Sequence, residues 1–224
     1  MIVDDFPQEF PRNSFTINVS PADLHEKILK SIADTAEPFT NAISSHNKKK
    51  WNEDSLTQVF IGQNNFQLQK LFLSLTAAAQ YRDIHDGTRG IPDIFYSIVE
   101  EGKDHRPTFI MEAKRLPTPS KDREKEYVIG KTSDGNPNGG IERFKLGKHG
   151  AGHTHCGMIG FIEKNEYQDW FEKVNIWITE LFPTWEKSEL LKLEEMHLYH
   201  NHYKSEAKRI ADTVYLDHFW IKIL

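Results

Sequence analysis

Residues 108–116 read Thr-Phe-Ile-Met-Glu-Ala-Lys-Arg-Leu (TFIMEAKRL), and the reading of this stretch decides the fold. Period-2 alternation puts Thr108, Ile110, Glu112 and Lys114 on one face of a strand and Phe109, Met111, Ala113 and Arg115 on the other. Both faces begin apolar, which predicts a strand in the interior of its sheet, covered on both sides. A carboxylate and an ammonium at the end of such a strand are expensive to bury unless they pair or hold a ligand. Upstream, Ile91–Val99 (IPDIFYSIV) is β-branched and aromatic, and Glu100–Pro107 (EEGKDHRP) is turn-like, so the two apolar runs form a predicted hairpin. Pro92 fits only the first residues of its strand. Antiparallel pairing then brings Asp93 close to Glu112, so that two carboxylates converge with one lysine.

Further from the hairpin, Ser20-Pro21 with Asp23 and Glu26 is a helix start, with serine at the N-cap and proline in the first turn. It predicts a helix over about Pro21–Asp34, with a second beginning near Glu37. From Glu53 to about Gln80 apolar residues recur at helical spacing with an interruption at Gly62–Asn65, which reads as two helices. A short amphipathic piece spans Ile141–Leu146. A strand follows at Cys156–Glu163, a strong helix at Tyr167–Phe182, and strand candidates at Glu195–Tyr199 and Thr213–Ile223. The expected class is mixed α/β (α+β), a central mixed β-sheet flanked by helices and not a regular doubly wound sheet. Trp170, Trp177 and Trp185 read as core; Trp220 suits either the core or an oligomer interface.

The 224 residues, 38% hydrophobic and 27% charged, suffice for one globular domain over 1–224 and argue against disorder as the dominant state. No apolar run is long enough to span a membrane, so no membrane partner is expected. Asp4, Asp5 and Glu9 stand where a secretory signal needs positive charge, and the single cysteine, Cys156, builds no internal disulfide; a cytoplasmic protein is the expectation. Net charge is −5, so any surface for nucleic acid has to be a local basic patch. The candidates are Lys48–Lys50 and the mixed-charge segment Lys121–Lys148, which also reads as an ordinary solvated face.

Two acidic oxygens with a backbone carbonyl and open water positions suit Mg²⁺, a hard cation that keeps several waters. Such an ion polarises a phosphate and lowers the pKa of a bound water, while the lysine orients or deprotonates that water; the implied chemistry is phosphodiester hydrolysis. Pro92-Asp93 followed by Glu112-Ala113-Lys114 resembles the motif of the PD-(D/E)XK nucleases, the restriction-endonuclease-like superfamily. The resemblance implies that Asp93, Glu112 and the main-chain carbonyl of Ala113 hold the metal, Mg²⁺ with Mn²⁺ able to substitute, and that Lys114 serves the attacking water. Members often add an acid from the helix before the hairpin; here that role falls to Glu53, with Asp54 second. The family core would cover roughly residues 50–165, its first strand around Gln80–His85, with residues 1–36 an arm and helix and 166–224 completing the sheet. Segment 139–150 would fall where members place a helix beside the active site, and Arg143, Lys145, Lys148 and His149 there are suitable phosphate donors. The implied partner is DNA, with RNA second, acting as a homodimer or as a subunit of a defence complex; the alternative is a non-catalytic nucleic-acid-binding or scaffold subunit keeping the same fold.

Histidines supply a competing metal chemistry. His149, His153, His155 and Cys156 lie close in sequence, as do His197, His200 and His202, and such clusters bind Zn²⁺, although these spacings match no standard finger. His200-Asn201-His202 is contiguous, unlike the dispersed HNH nuclease motif. No Walker-type loop, GxSxG or Cys-His nucleophile context is present.

Overall fold

The computed structural model describes residues 20–46, 51–71, 74–82, 90–102 and 105–223. The Lys48–Lys50 patch, most of the N-terminal arm and residues 83–85 of the expected first core strand lie outside them. The architecture is mixed α/β: a seven-stranded mixed sheet, order β1-β2-β3-β4-β7-β6-β5, with helices on both faces. The strands are β1 Leu75–Ala79, β2 Ile94–Ile98, β3 Pro107–Leu116, β4 His155–Ile162, β5 Lys192–Met196, β6 His200–Lys208 and β7 Thr213–Lys222. The hairpin forms as its alternation predicts, β2 antiparallel to β3 with Ile94 opposite Met111. On its other side β3 runs parallel to β4, which runs parallel to β7. The TFIMEAKRL stretch is therefore an interior strand.

Helices α1 (Pro21–Ser44) and α2 (Glu53–Lys70) cover one face, packing Ile32, Phe39 and Phe60 onto Phe109, Met111, Ala113 and Phe161. The opposite face carries a 3-10 segment (Lys121–Tyr127), α3 (Gly140–Lys145) and α4 (Tyr167–Thr179), which pack Tyr127, Ile141, Phe144, Trp170 and Trp177 onto Ile110, Leu116 and Trp220. Trp220 is fully buried, its indole N–H donating to the Tyr127 hydroxyl at 2.8 Å, so it is core and not an interface residue. Among the described residues no helix is long and apolar enough to cross a membrane.

Several boundaries differ from the sequence reading, each for a physical reason. Ser20 caps α1 as expected, its Oγ accepting from the Asp23 N–H, but α1 runs on through Pro38 as one helix. Proline costs that turn a donor; burial of Ala36, Phe39, Thr40 and Ile43 on the same face outweighs the loss. The interruption at Gly62–Asn65 lies inside a single α2, which ends at Lys70, and Leu75 belongs to β1, so the first strand precedes Gln80–His85. Asn64 is buried against α1, its amide donating to Ser31 and Thr35. Asn65 grips the outer edge of β1: its amide donates to the Ala77 carbonyl at 2.8 Å and its oxygen accepts from the Ala77 N–H at 2.7 Å. One side chain thus occupies the backbone groups that an edge strand offers to other chains. Asn65→Ala is expected to lower stability by about 2 kcal/mol, checked by urea denaturation; a change under half of that would mean β1 is held by packing alone.

The tail holds β5 and β6 where one strand at Glu195–Tyr199 was expected. β6 reads HNHYKSEAK and shows no clean apolar alternation because buried Tyr203 and Ala207 stand among buried polar residues, of which Ser205 is satisfied by His218 and His202 by Asp217. His200 is also buried there, and burial, with His197 and His202 adding to it, depresses its imidazole to about 4. A histidine whose folded value lies below its unfolded one favours the native state fully above about pH 6.5, and that contribution is lost as pH falls towards 4. Between pH 7.5 and pH 4.5 His200→Gln is expected to lose about 2 kcal/mol less stability than the wild type, allowing for solvent screening. Urea melts at the two pH values check this; equal losses would acquit His200.

Candidate metal and phosphodiester site at the end of the hairpin

Asp93 stands just before β2, at the point where β3 continues past its partner, and its Oδ2 accepts from the Ala113 N–H at 2.8 Å. That bond occupies a backbone donor that β2 no longer reaches. Glu112 and Lys114 project together from β3 on the face of Ile110 and Leu116, both buried. Lys114 Nζ donates to Glu112 Oε1 at 2.8 Å and to the Ala113 carbonyl at 2.7 Å; it stands 3.3 Å from Glu53 Oε1 and 4.0 Å from Asp93 Oδ2. Glu53 is the first residue of α2, whose start is fixed by Asn52 capping the Ser55 N–H, and its Oε2 accepts from the Arg115 N–H at 3.2 Å. The structure therefore brings Asp93, Glu112, Lys114, Glu53 and the Ala113 carbonyl together; Asp54 is exposed.

Arg143 of α3 places Nη1 2.5 Å from Glu112 Oε1, and its other nitrogen bonds Asn138. His149 is buried, its Nδ1 3.1 Å from Glu112 Oε2 but out of line for a hydrogen bond, so both atoms are left without one. Lys148 donates to the Pro137 carbonyl at 3.2 Å. A groove of about 730 Å³, lined by Gly90, Thr132, Asn138, Arg143, Lys148 and His149, opens beside Glu112. Three of the four expected phosphate donors thus share this wall. Lys145 does not: it reaches away to the buried Glu189, at 2.7 and 2.8 Å, and lies over the Trp185 ring.

The electrostatics follow from three carboxyls set around two fixed cations. Burial alone would raise the Glu112 carboxyl; Lys114, His149 and Arg143 outweigh it and hold the group well below the usual carboxylate range. Burial likewise opposes the charge on Lys114, but Glu112, Glu53 and Asp93 hold its ammonium well above its ordinary value. Glu53 and Asp93 are less well compensated. Burial, with the Glu112 charge adding to it, pushes Asp93 up to about 7 and raises Glu53 as well, against the opposing pull of Lys114.

This arrangement fits a hard divalent cation. The donors are all oxygen, a buried oxygen of Glu112 has no hydrogen bond, and two carboxyls are short of positive charge. The atoms are now gathered on Lys114 and not on one point; among the described residues the one set of three ligand atoms mutually within 4.8 Å is elsewhere. The histidine clusters of the sequence do not assemble as drawn: His149 faces Glu112, Cys156 is buried in the core, and His197 stacks on His200 while His202 bonds Asp217. Asn138, which holds Arg143, and Gly90, which packs under His149, carried no signal in the sequence. Comparison of the chain with known protein families, with curated proteins and with solved structures returned no match.

Proposed function

We propose that the chain is a metal-dependent nuclease of the PD-(D/E)XK type, with a restriction-endonuclease-like core, hydrolysing DNA phosphodiester bonds with a metal-activated water. The observation that carries this reading is the meeting of Asp93, Glu112 and Glu53 on the Lys114 ammonium where the β2–β3 hairpin opens. Asp93 and Glu112, with Glu53 and the Ala113 carbonyl, would hold Mg²⁺ or Mn²⁺. The ion, when bound, polarises the scissile phosphate and lowers the pKa of a coordinated water. Lys114, kept as an ammonium by its carboxyl neighbours, would donate to the attacking water and offset phosphoryl charge. Arg143 and Lys148 line the groove, and their positive charge would meet phosphates flanking the scissile bond. A DNA-cutting enzyme with a net charge of −5 needs such a confined patch, and this composition suits a homodimer or a subunit of a larger defence assembly.

Plasmid and single-stranded DNA incubated with the purified chain in Mg²⁺, Mn²⁺ or EDTA test the proposal. Cleavage in either metal and none in EDTA is the expected result. Binding that persists in EDTA with no cleavage in any metal would make the chain a binding subunit and sink the catalytic reading.

A further inference from the structure

The α1 face of the sheet carries a second group of ionisable side chains with no part in the chemistry above. His25 in α1, His155 at the start of β4 and Asp217 in β7 each bring one ligand atom to within 4.8 Å of the others. The β4–β7 register explains the meeting: His155 lies opposite Tyr215 and Gly157 opposite Asp217, so the side chains of His155 and Asp217 share a face of neighbouring strands. His25 reaches down from the helix, its Nε2 3.4 Å from Asp217 Oδ2, and its ring lies 4.7 Å from that of His155.

Three features distinguish this group from an ordinary polar contact. A separation of 3.4 Å is long for a hydrogen bond to a carboxylate, yet it matches two ligands of a tetrahedral ion bound at about 2.0 Å, which stand about 3.3 Å apart. The second oxygen of Asp217 is already engaged, accepting from His202 Nε2 at 2.9 Å, so the carboxylate is held with Oδ2 turned to the histidines. His155 has no hydrogen bond among the described residues and is exposed, its ring stacked on Tyr215, so an outer coordination position would face solvent.

We propose that His25, His155 and Asp217 bind a divalent transition cation of the zinc type, with water completing the coordination and His202 as the positioning residue behind Asp217. Two imidazoles and one carboxylate select zinc-like ions over Mg²⁺, which takes oxygen donors. The site is separate from the carboxylates of the hairpin: Glu112 projects to the opposite face, with Ile110 and Leu116. Because the ligands come from one helix and two interior strands, the ion ties α1 to the sheet and stabilises the folded chain.

The purified 224-residue chain, stripped with EDTA and dialysed against Zn²⁺ alone, tests this by metal content and thermal melting. The wild type is expected to retain zinc and to melt higher with it. His155→Ala, which removes an exposed side chain, should match the zinc-free wild type in stability, bind zinc at least about tenfold more weakly and lose the thermal shift. His197→Ala and Asp93→Asn should keep both. No zinc retained by the wild type, or undiminished binding by His155→Ala, overturns the proposal. So does loss of the shift in Asp93→Asn, which would put the ion among the hairpin carboxylates.

Discussion

Glu112→Gln is expected to reduce metal-dependent cleavage on the order of 10³-fold. The amide keeps the shape of the side chain and removes its charge, so both the proposed metal ligand and the shared acceptor of Lys114 and Arg143 are lost together. Two cations are then left facing a neutral group in a buried site, and a stability loss of about 3 kcal/mol accompanies the change. Asp93→Asn separates the two effects. Asp93 is partly exposed, and asparagine still accepts from the Ala113 N–H, so this variant should melt close to wild type while losing cleavage to a similar degree. Nicking of a supercoiled plasmid in Mg²⁺, with circular dichroism melts alongside, measures both. Wild-type cleavage by folded Asp93→Asn would remove the carboxylates from the mechanism.

Gly139→Ala is expected to be strongly damaging for so small a substitution, costing about 3 kcal/mol or more. A Cβ at this position would stand 2.2 Å from Ile129 Cα and 2.4 Å from the Val128 carbonyl oxygen. Both are backbone atoms and cannot rotate away. The same junction is stitched by Glu142, whose N–H donates to the Val128 carbonyl while its carboxylate accepts from the N–H groups of Gly130 and Gly139. Pushing the strands of this loop apart displaces α3, and with it Arg143 from Glu112. Gly62→Ala supplies the opposite sign: nothing lies within 4 Å of that Cβ, and alanine within α2 should raise stability by about 0.5–1 kcal/mol. Urea denaturation of both variants decides the matter, and a Gly139→Ala protein as stable as wild type would mean the loop yields freely.

The hairpin and its three charged residues were legible because β3 obeys strict alternation with apolar residues on both faces, and antiparallel pairing then leaves Asp93 one place to go. The end of α2 was not legible. Leu68, Leu71 and Leu75 continue a helical spacing across a boundary that Asn65 fixes through the backbone of β1, a contact no periodicity reports. β6 was hidden for the converse reason: its buried apolar residues, Tyr203 and Ala207, are outnumbered by buried polar ones, of which His202 and Ser205 find partners in β7. Lys145 illustrates the limit for binding residues, since nothing near it in sequence announces that the buried Glu189 claims its ammonium. The meeting of His25 with His155 and Asp217 depends on α1 lying over β4 and β7, a tertiary fact absent from any local window.

The strand order also bears on how the chain acquires its structure. β7 is the last strand in sequence, yet it lies between β4 and β6 and joins the two halves of the sheet. During synthesis β4 therefore waits with an open edge, and the β5–β6 pair stays unattached until β7, later in sequence than the other six strands, has been made. Pairings of such long sequence separation form slowly and leave unpaired edges accessible in the meantime. The β2–β3 hairpin can be made early, but the sheet that buries its charges closes only once β7 is in place.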